Sequence, residues 1–146
     1  MPQEKYEALI EDFCAFVNFN DPLHVLRGDT LEINGIELCF TYTADVDADN
    51  LYIYIDICAL PQENEAEFYR SLLALNLYSF AGGGAVFGLS VNAGRVLLLE
   101  RLPVDPMSGE AMHAALVPLV NEALRWRDEL TGAAPSGGGP ADMPNL

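Results

Sequence analysis

Residues 71–103 read SLLALNLYSFAGGGAVFGLSVNAGRVLLLERLP, and a change of period inside this stretch decides the fold. Up to Tyr78 the apolar residues Phe68, Leu72, Leu73, Leu75 and Leu77 recur at helical steps, behind Glu63, Glu65 and Glu67, which suit the positive end of a helix dipole. Gly82, Gly83 and Gly84 then end the helix and open a turn. Two strands are expected next, over residues 85–91 and 95–102, joined through Asn92-Ala93-Gly94 with glycine where a positive φ is needed. Upstream, residues 51–58 read LYIYIDIC, with Leu51, Ile53, Ile55 and Ile57 alternating against Tyr52, Tyr54, Asp56 and Cys58. This strand pairs naturally with the one before it, where Ile36, Leu38, Phe40 and Tyr42 alternate with Glu37, Cys39, Thr41 and Thr43. Asn34-Gly35 marks a tight turn or bulge back to a short strand carrying Leu31 and Ile33.

The outermost elements are helices. Tyr6, Leu9, Ile10, Phe13, Phe16 and Val17 form one face over residues 4–19, and the segment from Asn18 to Pro22 supplies a stop and a turn region. After Pro103 and Pro106, Ser108 can cap a last helix whose apolar face runs from Met112 to Leu130; Pro118 is expected to kink it or to move its start later. The order is α-β-β-β-α-β-β-α, an α+β domain with a twisted antiparallel sheet and helices packed on one side. A single domain over residues 1–130 fits the length of 146 residues, and residues 131–146, TGAAPSGGGPADMPNL, read as a flexible tail.

Charge narrows the function. There are 22 acidic residues against 7 Lys and Arg, a formal net charge of −15, with Lys5 the only lysine. Such a surface repels nucleic acid and anionic lipid, whose affinity for proteins rests on Lys and Arg. The opening MPQEKYEALIEDF has no basic-then-apolar leader, so a cytosolic protein is expected. Cys14, Cys39 and Cys58 are odd in number and set in apolar patterns, so they read as reduced core residues.

Catalytic patterns are not apparent. His24 and His113 have no neighbouring ligands at a metal-binding spacing, Ser79, Ser90 and Ser108 lack a nucleophile elbow, and AGGGAVFG follows a helix and precedes a strand, the reverse of a phosphate loop. Asp45, Asp47, Asp49 and Asn50 begin like a calcium loop but lack its sixth-position glycine and closing glutamate, so they read as a solvated hairpin tip. The chain therefore reads as a non-enzyme without cofactor or metal. An apolar excess remains: Tyr52 and Tyr54 fall on the face opposite the three isoleucines of their strand, which points to surface that meets another chain.

The element order, the stretch at residues 71–103, the strand LYIYIDICALP and the closing LVNEALRWRDEL together resemble the class I chaperones of bacterial type III secretion, the Tir-chaperone family. The resemblance implies a homodimer formed through the second helix and the strand after it, here Phe68, Leu72, Leu75, Tyr78, Val86, Phe87 and Leu89. It also implies a secreted effector as partner, held by its N-terminal segment in extended form against Phe13, Phe16, Val17, Ile33, Ile36, Leu38 and Phe40, in the bacterial cytoplasm. The secretion-system ATPase is a further candidate partner under the same resemblance. The alternative is a small-ligand or regulatory domain on this fold without a secreted client, using a pocket between helices and sheet.

Overall fold

The computed structural model describes residues 1–132; the flexibility expected of the tail concerns residues that, from 133 onward, lie outside the described ones. The elements are α1 (Pro2–Phe16), α2 (Pro22–Leu26), β1 (Leu31–Ile33), β2 (Ile36–Thr41), β3 (Asn50–Ala59), α3 (Glu65–Ala81), β4 (Val86–Ser90), β5 (Arg95–Pro103) and α4 (Gly109–Thr131). The strands form one five-stranded antiparallel sheet in the order β1-β2-β3-β5-β4, so β1 and β4 are its edges. By packing, the described residues divide into two units, Met1–Tyr54 with Arg101–Val120, and Ile55–Glu100 with residues 121–132.

In the first unit, Tyr6, Leu9, Ile10, Phe13 and Cys14 of α1 are buried. Phe13 meets the β2 residue Phe40 edge-on at 5.9 Å between centroids, and Tyr6 stacks on Tyr42 at 4.7 Å. Asn18, at φ 59, takes the left-handed conformation that ends α1. The turn region that follows holds the short helix α2, started by Pro22 and capped by Asp21, whose carboxylate accepts from the His24 N–H at 3.2 Å. Asn34 and Gly35 both have positive φ, 51° and 81°, the signature of a type I′ two-residue hairpin, and they set the register Ile33↔Ile36, Glu32↔Glu37, Leu31↔Leu38.

The start of α4 is fixed at two points. Ser108 Oγ accepts from the Ala111 N–H at 3.0 Å, and Asp12 Oδ2 of α1 accepts from the Gly109 N–H at 2.6 Å. A Cβ at Gly109 would stand 2.5 Å from the Asp12 backbone, so only glycine permits this approach. The helix continues through Pro118, whose side chain is exposed, without a later start.

In the second unit, Phe87 of β4 and Val96 and Leu98 of β5 share the buried face, and Phe87 packs edge-on against Trp126 of α4 at 5.3 Å. Arg127 of α4 donates through Nε to the Ile57 carbonyl at 2.6 Å, while Arg95 grips Asp56 through two bonds of 2.6 and 2.7 Å.

Two stability predictions follow from this packing. The Tyr6 hydroxyl is buried with no hydrogen-bond partner among the described residues, and burial pushes its pKa up to about 12. Tyr6→Phe removes that unmatched group and is expected to stabilise the protein by about 1 kcal/mol in urea unfolding; a loss of stability would show that the hydroxyl is matched in solution. At the β2–β3 hairpin tip, Asp47 accepts from the side chain of Asn50, the backbone N–H groups of Asp49 and Asn50, and the Tyr52 hydroxyl, which together hold its carboxyl below the ordinary 3.8, with the Asn50 side chain contributing most. A depressed carboxyl stabilises the fold above its unfolded pKa and loses that contribution as pH falls through the folded one. Asp47→Ala should therefore lower the melting temperature at neutral pH, with the difference from wild type narrowing below pH 3.8; a gap that is constant down to pH 2 (about two units below the ordinary carboxylate value) would refute the ionic origin.

Candidate functional site

Two clefts lie at the two edges of the sheet, one in each unit, the first of mixed polarity and the second apolar. The first, about 280 Å³, runs along β1 and is lined by Val17, Asn18, Phe19, Leu31, Glu32, Ile33, Asn34 and His113. The Asp12–Gly109 contact positions this cleft: it sets the first turn of α4 against α1, so that the His113 ring lies against Phe16 at 5.4 Å. Among the described residues, the ring nitrogens of His113 make no hydrogen bond.

The residues assigned to effector contact divide in two. Phe13, Ile36, Leu38 and Phe40 are core, at 0–1% exposure. Phe16 is 45% exposed, while Val17 and Ile33 are half-buried and line the cleft. The part of that set available to a partner is thus Phe16, Val17 and Ile33, extended by Phe19 and His113, which sequence reasoning did not assign. His113 carries no sequence signal for this place, since the spacing that brings it to Phe16 depends on the Asp12–Gly109 contact.

The second cleft, about 210 Å³, lies between α3 and β4 and is lined by Tyr69, Leu72, Leu73, Asn76, Phe87, Gly88 and Leu89. Of the residues assigned to a dimer interface, Phe68, Leu72, Leu75 and Phe87 are buried within the protomer, Val86 is half-buried, and Tyr78 and Leu89 are exposed. The outward stripe of α3 consists instead of Leu73, Leu77 and Phe80, exposed by 64–77%, with Val91 just past β4. So large an apolar area on one helix and the adjoining strand marks an interaction surface.

Asn76 was not singled out from the sequence, yet it holds this edge together. The Phe87 N–H donates to its Oδ1 at 2.6 Å, and its Nδ2 donates to the Phe87 carbonyl at 2.9 Å. One amide side chain thereby satisfies both backbone groups that Phe87 turns to the free edge, as a neighbouring strand would. The signal was available: Asn76 is the one amide within the apolar run LLALNLYSF.

The remaining candidates supply no catalytic arrangement. Burial raises the thiol pKa values of Cys14, Cys39 and Cys58, which disfavours the nucleophilic thiolate. Among the described residues no three His, Cys, Asp or Glu side chains come together as a metal site, and no helix is long and apolar enough to cross a membrane. The Asp47 oxygens accept the hydrogen bonds that shape the hairpin tip.

Residues 8–127 match the model of the Tir chaperone protein (CesT) family, and the chain belongs to that family. Three solved structures share its fold. One, described as the ExsC–ExsE complex, superposes with a TM-score of 0.67 at 17% identity, covering 87% of this chain and 93% of the other. The HopA1–SchA chaperone–effector complex gives 0.62 at 18% identity, with 85% and 94% covered. The Yersinia pestis type III secretion chaperone SycH, in complex with a fragment of YscM2, gives 0.53 at 20% identity, with 82% and 98% covered. Comparison with curated proteins gives no match.

Asn76→Ala leaves the Phe87 N–H and carbonyl unmatched at the sheet edge, and is expected to cost about 1–3 kcal/mol of stability. Hydrogen exchange of the Phe87 amide should accelerate more than that of the β1 and β2 amides; uniform acceleration would mean that Asn76 acts on global stability alone.

Proposed function

We propose that this chain is a non-enzymatic chaperone of the bacterial cytoplasm that binds the N-terminal segment of a secreted effector as an extended strand and keeps it competent for export. The observation that carries the reading is the cleft along the open edge of β1: an unpaired strand edge supplies backbone donors and acceptors, and the cleft beside it, with Val17, Phe19, Leu31 and Ile33 in its wall, takes alternate side chains. Family membership supports the same reading. Phe16, Val17 and Ile33 are the client contacts, and the α3–β4 surface with Leu73, Leu77 and Phe80 is where a second copy of the chain docks.

Purification from native cells, followed by limited proteolysis and mass spectrometry, tests this function. A polypeptide protected over its N-terminal stretch is expected; a preparation that binds small molecules and no polypeptide would favour the ligand-binding alternative. Phe16→Asp should abolish client capture with little change in stability, because the ring is 45% exposed. Retained capture would remove the β1 cleft from the account. Leu77→Asp with Phe80→Asp should give a folded monomer of 15.9 kDa by light scattering, where the wild type gives twice that mass; an unchanged mass would place the dimer contact elsewhere.

A further inference from the structure

The hairpin geometry of β1 and β2 specifies more about the docked segment than that it is extended. A type I′ two-residue turn makes Ile33–Ile36 a hydrogen-bonded pair, so the next pair, Glu32–Glu37, is a non-hydrogen-bonded one. In such a pair the side chains approach most closely, and the backbone N–H and carbonyl of Glu32 point away from β2, toward the open edge. Both carboxylates therefore stand directly opposite each other on the exposed face, while Leu31 and Ile33 turn to the other face, that of the buried Ile36 and Leu38. Like charges opposite one another across a ladder are destabilising, and among the described residues neither glutamate has an ion-pair partner.

We propose, on the footing of the function given above, that the segment docking on β1 carries an arginine or lysine facing Glu32, flanked on either side by apolar residues. Strand alternation places those apolar neighbours on the face of Leu31 and Ile33, in the cleft beside Val17, and puts the intervening side chain over Glu32. Strands lie about 4.8 Å apart, so Glu37 is roughly two strand spacings from the docked backbone, a span that only a long basic side chain bridges. The cation then relieves a repulsion that the free protein carries. The glutamates also disfavour pairing of the β1 edge with the same edge of another copy, so this edge admits a basic partner and rejects itself.

The test uses the full chain, isotopically labelled, titrated with nine-residue peptides Thr-Ser-Thr-Ile-X-Ile-Thr-Ser-Thr, where X is arginine, glutamine or glutamate. Amide shifts of Glu32 and Ile33 report docking on β1. The arginine peptide is expected to bind about two- to fivefold more tightly than the glutamine peptide, and the glutamate peptide most weakly. The exposed double variant Glu32→Gln with Glu37→Gln should bind the arginine and glutamine peptides alike. If the arginine and glutamine peptides shift these amides with equal affinity in the wild type, the charge proposal is overturned and docking on the edge stands. If no peptide shifts the β1 amides, the proposal falls together with the placement of the client on β1.

Discussion

An antiparallel sheet that does not close on itself has two edges, and each carries backbone donors and acceptors that demand a partner. In this protein the two edges are treated in opposite ways. At β4 the demand is met in part within the chain, because Asn76 occupies the N–H and carbonyl of Phe87. At β1 it is left open: the strand is three residues long, its outward backbone groups belong to an acidic residue, and a cleft of mixed polarity lies beside it. A binding protein for extended polypeptide needs one edge that stays available and another that does not attract the wrong strand, and this arrangement provides both.

The open edge would be useless without a wall to hold side chains, and that wall comes from helix ends. Phe13, edge-on with Phe40, and Tyr6, stacked on Tyr42, anchor α1, after which the helix runs out at Phe16. The last residues of the helix and the segment after it are therefore less buried than its middle, and the Asp12–Gly109 contact brings His113 to face them. Core and cleft are made from the same kinds of residue on the same face of one helix, separated only by where that helix ends.

That separation explains what the sequence could and could not reveal. Element order, the Asn34-Gly35 turn and the Ser108 cap were legible because they depend on local chemistry: left-handed backbone, glycine, a hydroxyl aimed at free N–H groups. The sorting of apolar residues was not. Phe13 and Phe16 stand three apart and read alike, but one is under the sheet and the other half in solvent. The helix α3 shows the same ambiguity more strongly, since Phe68, Leu72 and Leu75 make one apolar stripe and Leu73, Leu77 and Phe80 another at the same spacing. A helix apolar on two faces announces that it is covered twice, without saying which face meets its own sheet. Asn76 stands out locally as the one amide in an apolar run, but its bonds reach a residue eleven positions away, and that pattern does not say which.

Holding a polypeptide extended is costly in entropy, since each ordered residue forfeits roughly 1–2 kcal/mol of backbone freedom. A three-residue edge with one small cleft cannot offset this over a long segment. Two features make up the difference in the proposed assembly. A second copy of the chain supplies a second β1 edge, and a client already held at one edge meets the other at a high effective concentration. The acidic surface, with its net charge of −15, adds long-range attraction for a basic segment. Affinity then comes from repeated modest contacts, each easily broken, so that a client can be held extended and still be released.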